Sequence, residues 1–481
     1  MDLFEKYYQG FAQSNTETME LLTKALTAGT GVDASAFTGG RALTPESLDF
    51  TLINILHNQD EARLFQRLKK TPIKSVVRQW NQRTEVGSDD AAWVPEGGDS
   101  VATDQTIARK FAVAKYLQTF RQVTLQAAMS DMVENAMAIE KEAGTLWLIR
   151  NIEKGLFHGD SSVVAEEPDG LRKLIPSTNV IDFRGGHADG VNFKKQITEA
   201  LRIIRASYGK GDLMLASAKV TRDISNMLSD MYRIPLPPMG GMVMTQMGVQ
   251  VGPGSPGGVP AAAFPMNFPT PFGNPEVLDD IFLLEGQTQV DTTVVTNKPS
   301  QCTISNGGHG ADAASQFAAA DAGSYYYKVT GVNRYGEGIS STAVQVTGVV
   351  AGDKVTFRVT PGGTVPAGLV IYRSKVGAAD GTDCRKMFRI PFAFDSGPQT
   401  YMTVTDYNAD LPGCSDVYML TMNPLFNAVE WFQFLPMMKF DLYPVNAAVY
   451  PFLMLLFGGL GLLKPVQHVR IKNVCPTDGW F

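Results

Sequence analysis

Residues 73–116 read IKSVVRQWNQRTEVGSDDAAWVPEGGDSVATDQTIARKFAVAKY, and the charges in and around them fall in blocks. Arg63, Arg67, Lys69, Lys70, Lys74, Arg78 and Arg83 come with no acid among them. Glu85, Asp89, Asp90, Glu96, Asp99 and Asp104 follow with no base, and Arg109, Lys110, Lys115 and Arg121 restore positive charge. Ile73, Val76, Val77 and Trp80 lead in, while Phe111, Val113 and Tyr116 lead out, which predicts a long two-stranded excursion with its tip near residues 84–106. A two-stranded ribbon alone is marginal in water, so one this long wants a surface to lie on. Blocks of opposite charge on a repeated subunit suit docking against a neighbouring copy. The contact residues expected are Arg63, Arg67, Lys70, Lys74 and Arg78 on the basic side. On the tip they are Glu85, Asp89, Asp90, Trp93, Glu96 and Asp99. The bland alternative is an ordinary solvated hairpin.

Upstream, residues 1–45 read as an arm with one apolar helical stripe (Met19, Leu22, Leu26), followed by a small-residue linker from Ala28 to Gly40; residues 46–70 read as helical. Met1-Asp2-Leu3-Phe4-Glu5-Lys6 has no apolar run of the secretory kind. Downstream, three- and four-residue apolar steps predict a helix from about Leu125 to Phe157, roughly 45–50 Å long, lying across something extended such as a sheet. From residue 190 helix and strand alternate. Phe193, Ile197, Leu201 and Ile204 line one helix, Leu213 to Ala216 form a strand, and Ile224, Leu228 and Met231 line a second helix. Ile234 to Pro275 then runs 42 residues with no charge and ten prolines, a contact or functional loop. Between about 287 and 415 the alternation of Tyr325, Tyr327 and Val329, and of Val355, Phe357 and Val359, predicts a small all-β sandwich. Val417–Leu420 and Val466–Val474 read as closing strands, so the sandwich interrupts the main domain.

Composition bounds the function. The chain has 481 residues, enough for two to four domains, with 44% hydrophobic and 19% charged residues, which excludes a mainly disordered polymer. Forty-two Lys+Arg against 48 Asp+Glu give a net charge of −6, so no global basic field points to nucleic-acid recognition. Cys302, Cys384, Cys414 and Cys475 lie far apart without a CxxC pair, arguing against zinc or redox motifs, against a disulfide framework, and for synthesis in a reducing compartment. Ala447 to Leu463 is 17 uncharged residues, the length of a minimal membrane span, but Pro451 and Gly458-Gly459-Leu460-Gly461 favour a buried strand, turn and strand.

No catalytic constellation emerges. Gly252 to Gly257 fits GxGxxG, yet Pro253, Pro256 and Pro260 forbid the helix start that the dinucleotide motif requires. Ser207-Tyr208-Gly209-Lys210 matches SxxK without its companion motifs. His57, His158, His187, His309 and His468 never form a ligand pair in sequence. Asp89-Asp90 and Glu166-Glu167 read as solvated loop charges, and Trp431 to Phe440 reads as core. No cofactor and no metal site are implied, and the chain is expected to be no enzyme.

The order of elements, rather than any one motif, resembles the major capsid proteins of tailed bacteriophages, the Hong Kong ninety-seven-type fold. The likeness rests on Ala92-Trp93-Val94-Pro95-Glu96-Gly97-Gly98, on the helix ending Leu156-Phe157-His158-Gly159-Asp160, on Leu213-Met214-Leu215-Ala216-Ser217 with the helix up to Arg233-Ile234-Pro235, and on the ending Val466 to Val474. The resemblance implies an α+β fold. Its parts would be an N-terminal arm (1–70), an extended loop (71–123), a peripheral domain with a spine helix (124–189), an axial domain (190–286), an inserted sandwich (287–415) and closing axial and peripheral segments (416–481). The insert resembles an immunoglobulin or fibronectin type III module through Tyr325 to Val329 and Val332-Asn333-Arg334-Tyr335-Gly336-Glu337-Gly338. By the resemblance, copies of the chain would assemble as hexamers and pentamers of an icosahedral virion head. That head would form in the host cytoplasm, with portal and scaffolding or decoration proteins, around double-stranded DNA held without sequence specificity and with no membrane. Lys–Asn cross-linking occurs in some members; no pair is assigned in this chain. An encapsulin-type compartment and, further off, a carbohydrate-binding surface protein are the alternatives.

Overall fold

The computed structural model describes residues 61–87, 93–99, 102–129, 135–231, 268–283, 297–444 and 447–477. The expected arm 1–45, most of the helix expected over 46–70, most of the uncharged loop 234–275, the start of the expected sandwich, and Asp89 and Asp90 lie outside them. Two units divide the chain, residues 1–55 with 126–139, and 56–125 with 140–481. The first is described only at 126–129 and 135–139, largely helical; every strand named below belongs to the second.

Helix α1 (Arg63–Arg67) is short, because the chain is already extended at Leu68 and enters β1 (Lys70–Pro72). The hairpin follows as β2 (Val77–Glu85) and β3 (Thr106–Val113), antiparallel from Val77 opposite Val113 to Glu85 opposite Thr106. After the single residue Ala114 the chain continues as β4 (Lys115–Thr124). Helix α2 (Ala136–His158) has 23 residues, about 35 Å. Residues 125–129 are helical as well, and 130–134 are outside the described residues.

One sheet has the order β1-β17-β18-β4, with β17 (Val429–Asp441) and β18 (Val449–Leu462) antiparallel and β1 parallel to β17. The expectation of a strand, turn and strand over Ala447–Leu463 is corrected here: β18 runs unbroken through its glycines. Those glycines make room rather than a turn. A Cβ at Gly458 would stand 2.5 Å from the Phe432 carbonyl oxygen and 2.6 Å from the Trp431 ring.

A second sheet has the order β5-β19-β16-β6-β7: β5 (Val180–Asp182), β6 (Leu213–Ala216), β7 (Glu276–Asp279), β16 (Ser415–Leu420) and β19 (Val469–Val474). Leu213 to Ala216 is apolar throughout because β6 is buried on both faces. Met214 and Ala216 pack with α4 (Val191–Ala206) and α5 (Ala218–Met231), the two helices that follow the short α3 (Leu171–Leu174). Leu213 and Leu215 pack with Ile152, Leu156 and Phe157 of α2 and with Trp431, Leu456 and Leu460 of the first sheet. Strand β18 pairs with β4 on its other edge, so β17 and β18 lie in the sheet at the hairpin's foot rather than in the sheet of β16. Antiparallel pairing of β16 with β19 also brings Cys414 and Cys475 together as a disulfide across 61 residues, which corrects the expectation from their sequence separation.

Residues 303–406 form two further sheets. One contains β9 (Gly323–Asn333), β10 (Gly336–Ser340), β11 (Val344–Val349), β13 (Gly368–Arg373) and β14 (Arg385–Pro391). The other contains β8 (Thr303–Ala311), β12 (Asp353–Thr360) and β15 (Met402–Asp406). Their shared core holds the expected alternating residues Tyr325, Tyr327, Val329, Val355, Phe357 and Val359. Within it, Arg373 of β13 donates to Asp406 of β15 at 2.6 Å and to Asn408 at 2.7 Å, and the Tyr327 hydroxyl donates to the same carboxylate at 2.9 Å. The other face of β13 is buried too, as Val370 and Tyr372 pack on Val163 and Val164. Arg389 grips Glu167 with two 3.0 Å bonds, so these sheets dock on the turn that follows α2.

Arg373→Met strands a carboxylate in this core, and breaking a buried pair in this way costs about 3–5 kcal/mol. The expected outcome is lost hydrogen-exchange protection in β9 and β12 with β6 and β16 still protected. Adding Asp406→Leu to remove the stranded charge should restore most of it.

Candidate subunit-contact surface

The hairpin takes its orientation from its base. Ala114 N–H donates to the Val76 carbonyl at 2.8 Å, and Arg78 meets the almost fully buried Glu430 of β17 at 2.5 Å. Thr71 of β1 donates to the other oxygen of that carboxylate at 2.7 Å, and Gln82 reaches the Leu463 carbonyl. Alternation along paired strands does the rest. Arg78, Trp80 and Gln82 share the half-buried face with Ala108 and Ala112, which turns Val77, Gln79, Asn81 and Arg83, with Ile107, Arg109, Phe111 and Val113, outward. Phe111 is 70% exposed and Ile107 56%, with Val77 and Val113 at 40% each; beyond the strands Trp93 is 96% exposed. An apolar strip with arginine and amide groups among it has the composition common at contact surfaces.

The sheet at the hairpin's foot continues the pattern. Phe120 of β4, Leu453 of β18 and Phe440 of β17 stand in one cross-strand row, and Tyr116 packs edge-on against Phe457 at 4.9 Å. Phe120 and Tyr116 are half exposed, as is Phe440. The opposite face of this sheet carries Phe452, Met454 and Leu456, all buried, with Arg121 reaching Glu140 of α2 at 3.3 Å.

The charges expected at the contact divide. Arg63 is engaged with Asp279, and Arg67 holds Glu276 through two bonds of 2.6 and 2.8 Å. Arg67's hydrogen bond and positive charge hold the Glu276 carboxyl below its ordinary range. Arg78 serves Glu430, so these three arginines fasten α1 and the hairpin base within the chain. Their acidic partners sit on β7 and β17, far off in sequence. Lys70 lies over the Phe65 ring at 4.8 Å and is exposed, and so is Lys74. On the tip, Glu96 and Asp99 are exposed and Glu85 accepts from Thr106 at 3.2 Å. Asp89 and Asp90 fall outside the described residues. Sequence reasoning missed the outward apolar strip of Val77, Ile107, Phe111 and Val113, although period-two alternation from the hairpin base would have marked it.

Candidate chemistry elsewhere dissolves into structure. Glu167 of the Glu166-Glu167 pair is the docking partner of Arg389. His158, Arg172, Lys386, Asp410, Asp416 and Arg470 line a cavity of about 60 Å³, room for a few waters rather than a substrate. There Arg172 pairs with Asp410 and Arg470 with Asp416, each at 2.9 Å, and burial with the Lys386 and Arg172 charges pushes His158 down to about 3. Among the described residues no group of three or more His, Cys, Asp or Glu side chains could hold a metal ion, and no helix is long and apolar enough to cross a membrane.

Residues 23–247 match the family model described as SU10 major capsid protein. The major capsid protein of Staphylococcus phage K is 23% identical over 488 residues, spanning 98% of this chain and 97% of its own, and that of Staphylococcus phage S25-3 matches to the same extent. Among solved structures, the capsid of the native GTA particle aligns over 92% of this chain and 100% of its own at 8% identity, with a TM-score of 0.47.

Arg78→Ala leaves the buried Glu430 carboxylate with Thr71 alone. Loss of one partner of a buried acceptor costs about 1–3 kcal/mol. A lower denaturant midpoint and faster proteolysis between residues 73 and 116 are expected, with Arg78→Lys recovering part of both.

Proposed function

We propose that this chain, a major capsid protein of phages, closes its shell by laying the β2–β3 hairpin of each subunit on its neighbour, in hexamers and pentamers of an icosahedral head around double-stranded DNA. The observation that carries this is the outward strip of Val77, Ile107, Phe111 and Val113 on a ribbon whose other face is fastened to its own sheet. A monomer gains nothing from exposing it; a second copy covers it. The exposed acids Glu85, Glu96 and Asp99 and the exposed bases Lys70 and Lys74 then bias register and rate more than affinity. Asp89, Asp90 and Trp93 belong to the same tip.

In this reading residues 1–70 are the arm, 71–123 the extended loop, 124–189 the peripheral segment, and 190–286 with parts of 416–481 the axial segment. The 287–415 insert is an immunoglobulin-like module on the shell surface, a view supported by its separate core. Portal and scaffolding or decoration proteins are partners, DNA contact is non-specific, and assembly takes place in the host cytoplasm. The compartment alternative is weaker, since relatives matching over nearly the whole chain are phage capsid proteins.

Electron microscopy of the purified protein should show closed shells built of hexamers and pentamers. The double substitution Ile107→Ser with Phe111→Ser should leave circular dichroism and thermal unfolding of the subunit unchanged while light scattering records at least a tenfold slower assembly, about 1.4 kcal/mol or more. Normal shells from that variant would sink the docking role of the hairpin.

A further inference from the structure

Three loops meet at the end of the second sheet where β6 begins and β16 ends. Residues 207–212 follow α4, residues 421–428 join β16 to β17, and residues 463–468 join β18 to β19. Asp212 accepts the Met422 N–H at 2.6 Å, and Gln467 donates to the Ser207 carbonyl at 3.0 Å. Leu463 and Lys464 both donate to the Ala428 carbonyl, at 2.8 and 3.1 Å, so the loops form one piece. Their surface is apolar and basic. Tyr208 is 85% exposed, Leu425 90% and Val466 49%. Lys69, which donates to Asn427 at 3.2 Å, Lys210 and Lys464 are exposed beside them. Residues 203–211, 421–429 and 463–470 contain no acid.

Tyr208 is held outward at a conformational cost. It closes α4 in a Schellman turn, its N–H meeting the Arg205 carbonyl at 3.0 Å and that of Gly209 the Ile204 carbonyl at 2.9 Å. Its φ is +60°, the left-handed position that helix ends usually give to glycine. Glycine stands one residue later, at 209, where a Cβ would lie 2.8 Å from Ile204. A strained and exposed tyrosine contributes little to the fold of its own copy, and strain of this kind marks contact sites.

The hairpin tip is the matching surface. Trp93 is 96% exposed and Val94 45%, and the exposed acids Glu85, Glu96, Asp99 and Asp104 have no base near them in sequence between Arg83 and Arg109. With Trp93 and Tyr208 both bare, neither surface covers the other within one copy. Aromatic anchors flanked by charges of opposite sign are what two such surfaces need to find each other and stay in register.

We infer that the tip of a second copy's hairpin, Trp93 with Glu96 and Asp99, seats on the loop surface of Tyr208, Leu425 and Val466 between Lys69, Lys210 and Lys464. This rests on the hairpin docking proposed above and adds where on the neighbour the tip lands. Phosphate contacts to the lysines would leave Leu425 and Val466 in water, which favours a protein partner over a nucleic acid.

Tyr208→Gly separates contact from fold. It relieves the left-handed strain, so thermal unfolding of the unassembled subunit should stay at or above the wild-type midpoint. Light scattering of nucleic-acid-free protein should nevertheless record assembly at least about fivefold slower. Lys210→Glu with Lys464→Glu should leave unfolding unchanged and slow assembly about tenfold or more at roughly 50 mM salt. Adding Glu96→Lys with Asp99→Lys in the same chain should recover most of that rate. Wild-type assembly rates from either patch variant, or no recovery in the fourfold variant, would overturn the inference. Slow assembly of the Ile107→Ser, Phe111→Ser variant beside normal assembly of the patch variants would leave hairpin docking intact and remove this landing site. Normal assembly of all three would remove both.

Discussion

Strand β18 is hydrogen-bonded along both edges, to β17 on one side and to β4 on the other, and the placement of the contact surface depends on that double pairing. Its side chains alternate between Phe452, Met454 and Leu456, which fill the core, and Leu453, Leu455 and Phe457, which face outward. A slip of one residue would exchange those sets, so the register is fixed by burial. Since β4 is joined to the hairpin by Ala114 alone, fixing β4 fixes where the hairpin starts. Glycines at 458 and 459 let the Trp431 and Phe432 rings press onto the same strand without breaking the ladder.

Around this frame, polar pairs set specific joints. Arg78 with Glu430 sets the hairpin base, Arg67 with Glu276 seats α1, and Arg389 with Glu167 docks the inserted sheets. Arg67 with Glu276 is the exposed kind, typically worth about 0–1 kcal/mol, so its value is geometric, whereas Glu430 is almost fully buried and needs Arg78. The buried one, Arg373 with Asp406, is different in kind: each side chain would be costly alone.

Much of this was readable from residue order. The alternation at Tyr325, Tyr327 and Val329 placed the sandwich core, the apolar run Leu213 to Ala216 placed a doubly buried strand, and the apolar residues leading in at Val77 and Trp80 and out at Phe111 and Val113 located the hairpin strands. What was not readable is whatever depends on distant partners. Arg63 and Arg67 looked free for a neighbour because Asp279 and Glu276 lie 216 and 209 residues away. Gly458 and Gly459 looked like a turn because a sequence does not show which aromatic ring will fill the space beside a glycine. Cys414 and Cys475 looked solitary until antiparallel pairing aligned them. The outward strip was hidden for another reason: Phe111 and Val113 carry the same periodicity whether a strand face is covered by its own chain or by another.

That last ambiguity concerns the central claim, and cross-linking between differently labelled copies resolves it. Shells assembled from an equal mixture of isotopically heavy and light subunits, treated with a short lysine-reactive cross-linker and digested, report whether Lys110 of β3 and Lys74 at the hairpin base join peptides of one copy or of two. Hairpin docking on a neighbour predicts mixed heavy–light links from Lys110 in the assembled shells and their disappearance in unassembled protein. Links from Lys110 confined to peptides of a single label, in shells that are otherwise intact, would contradict it.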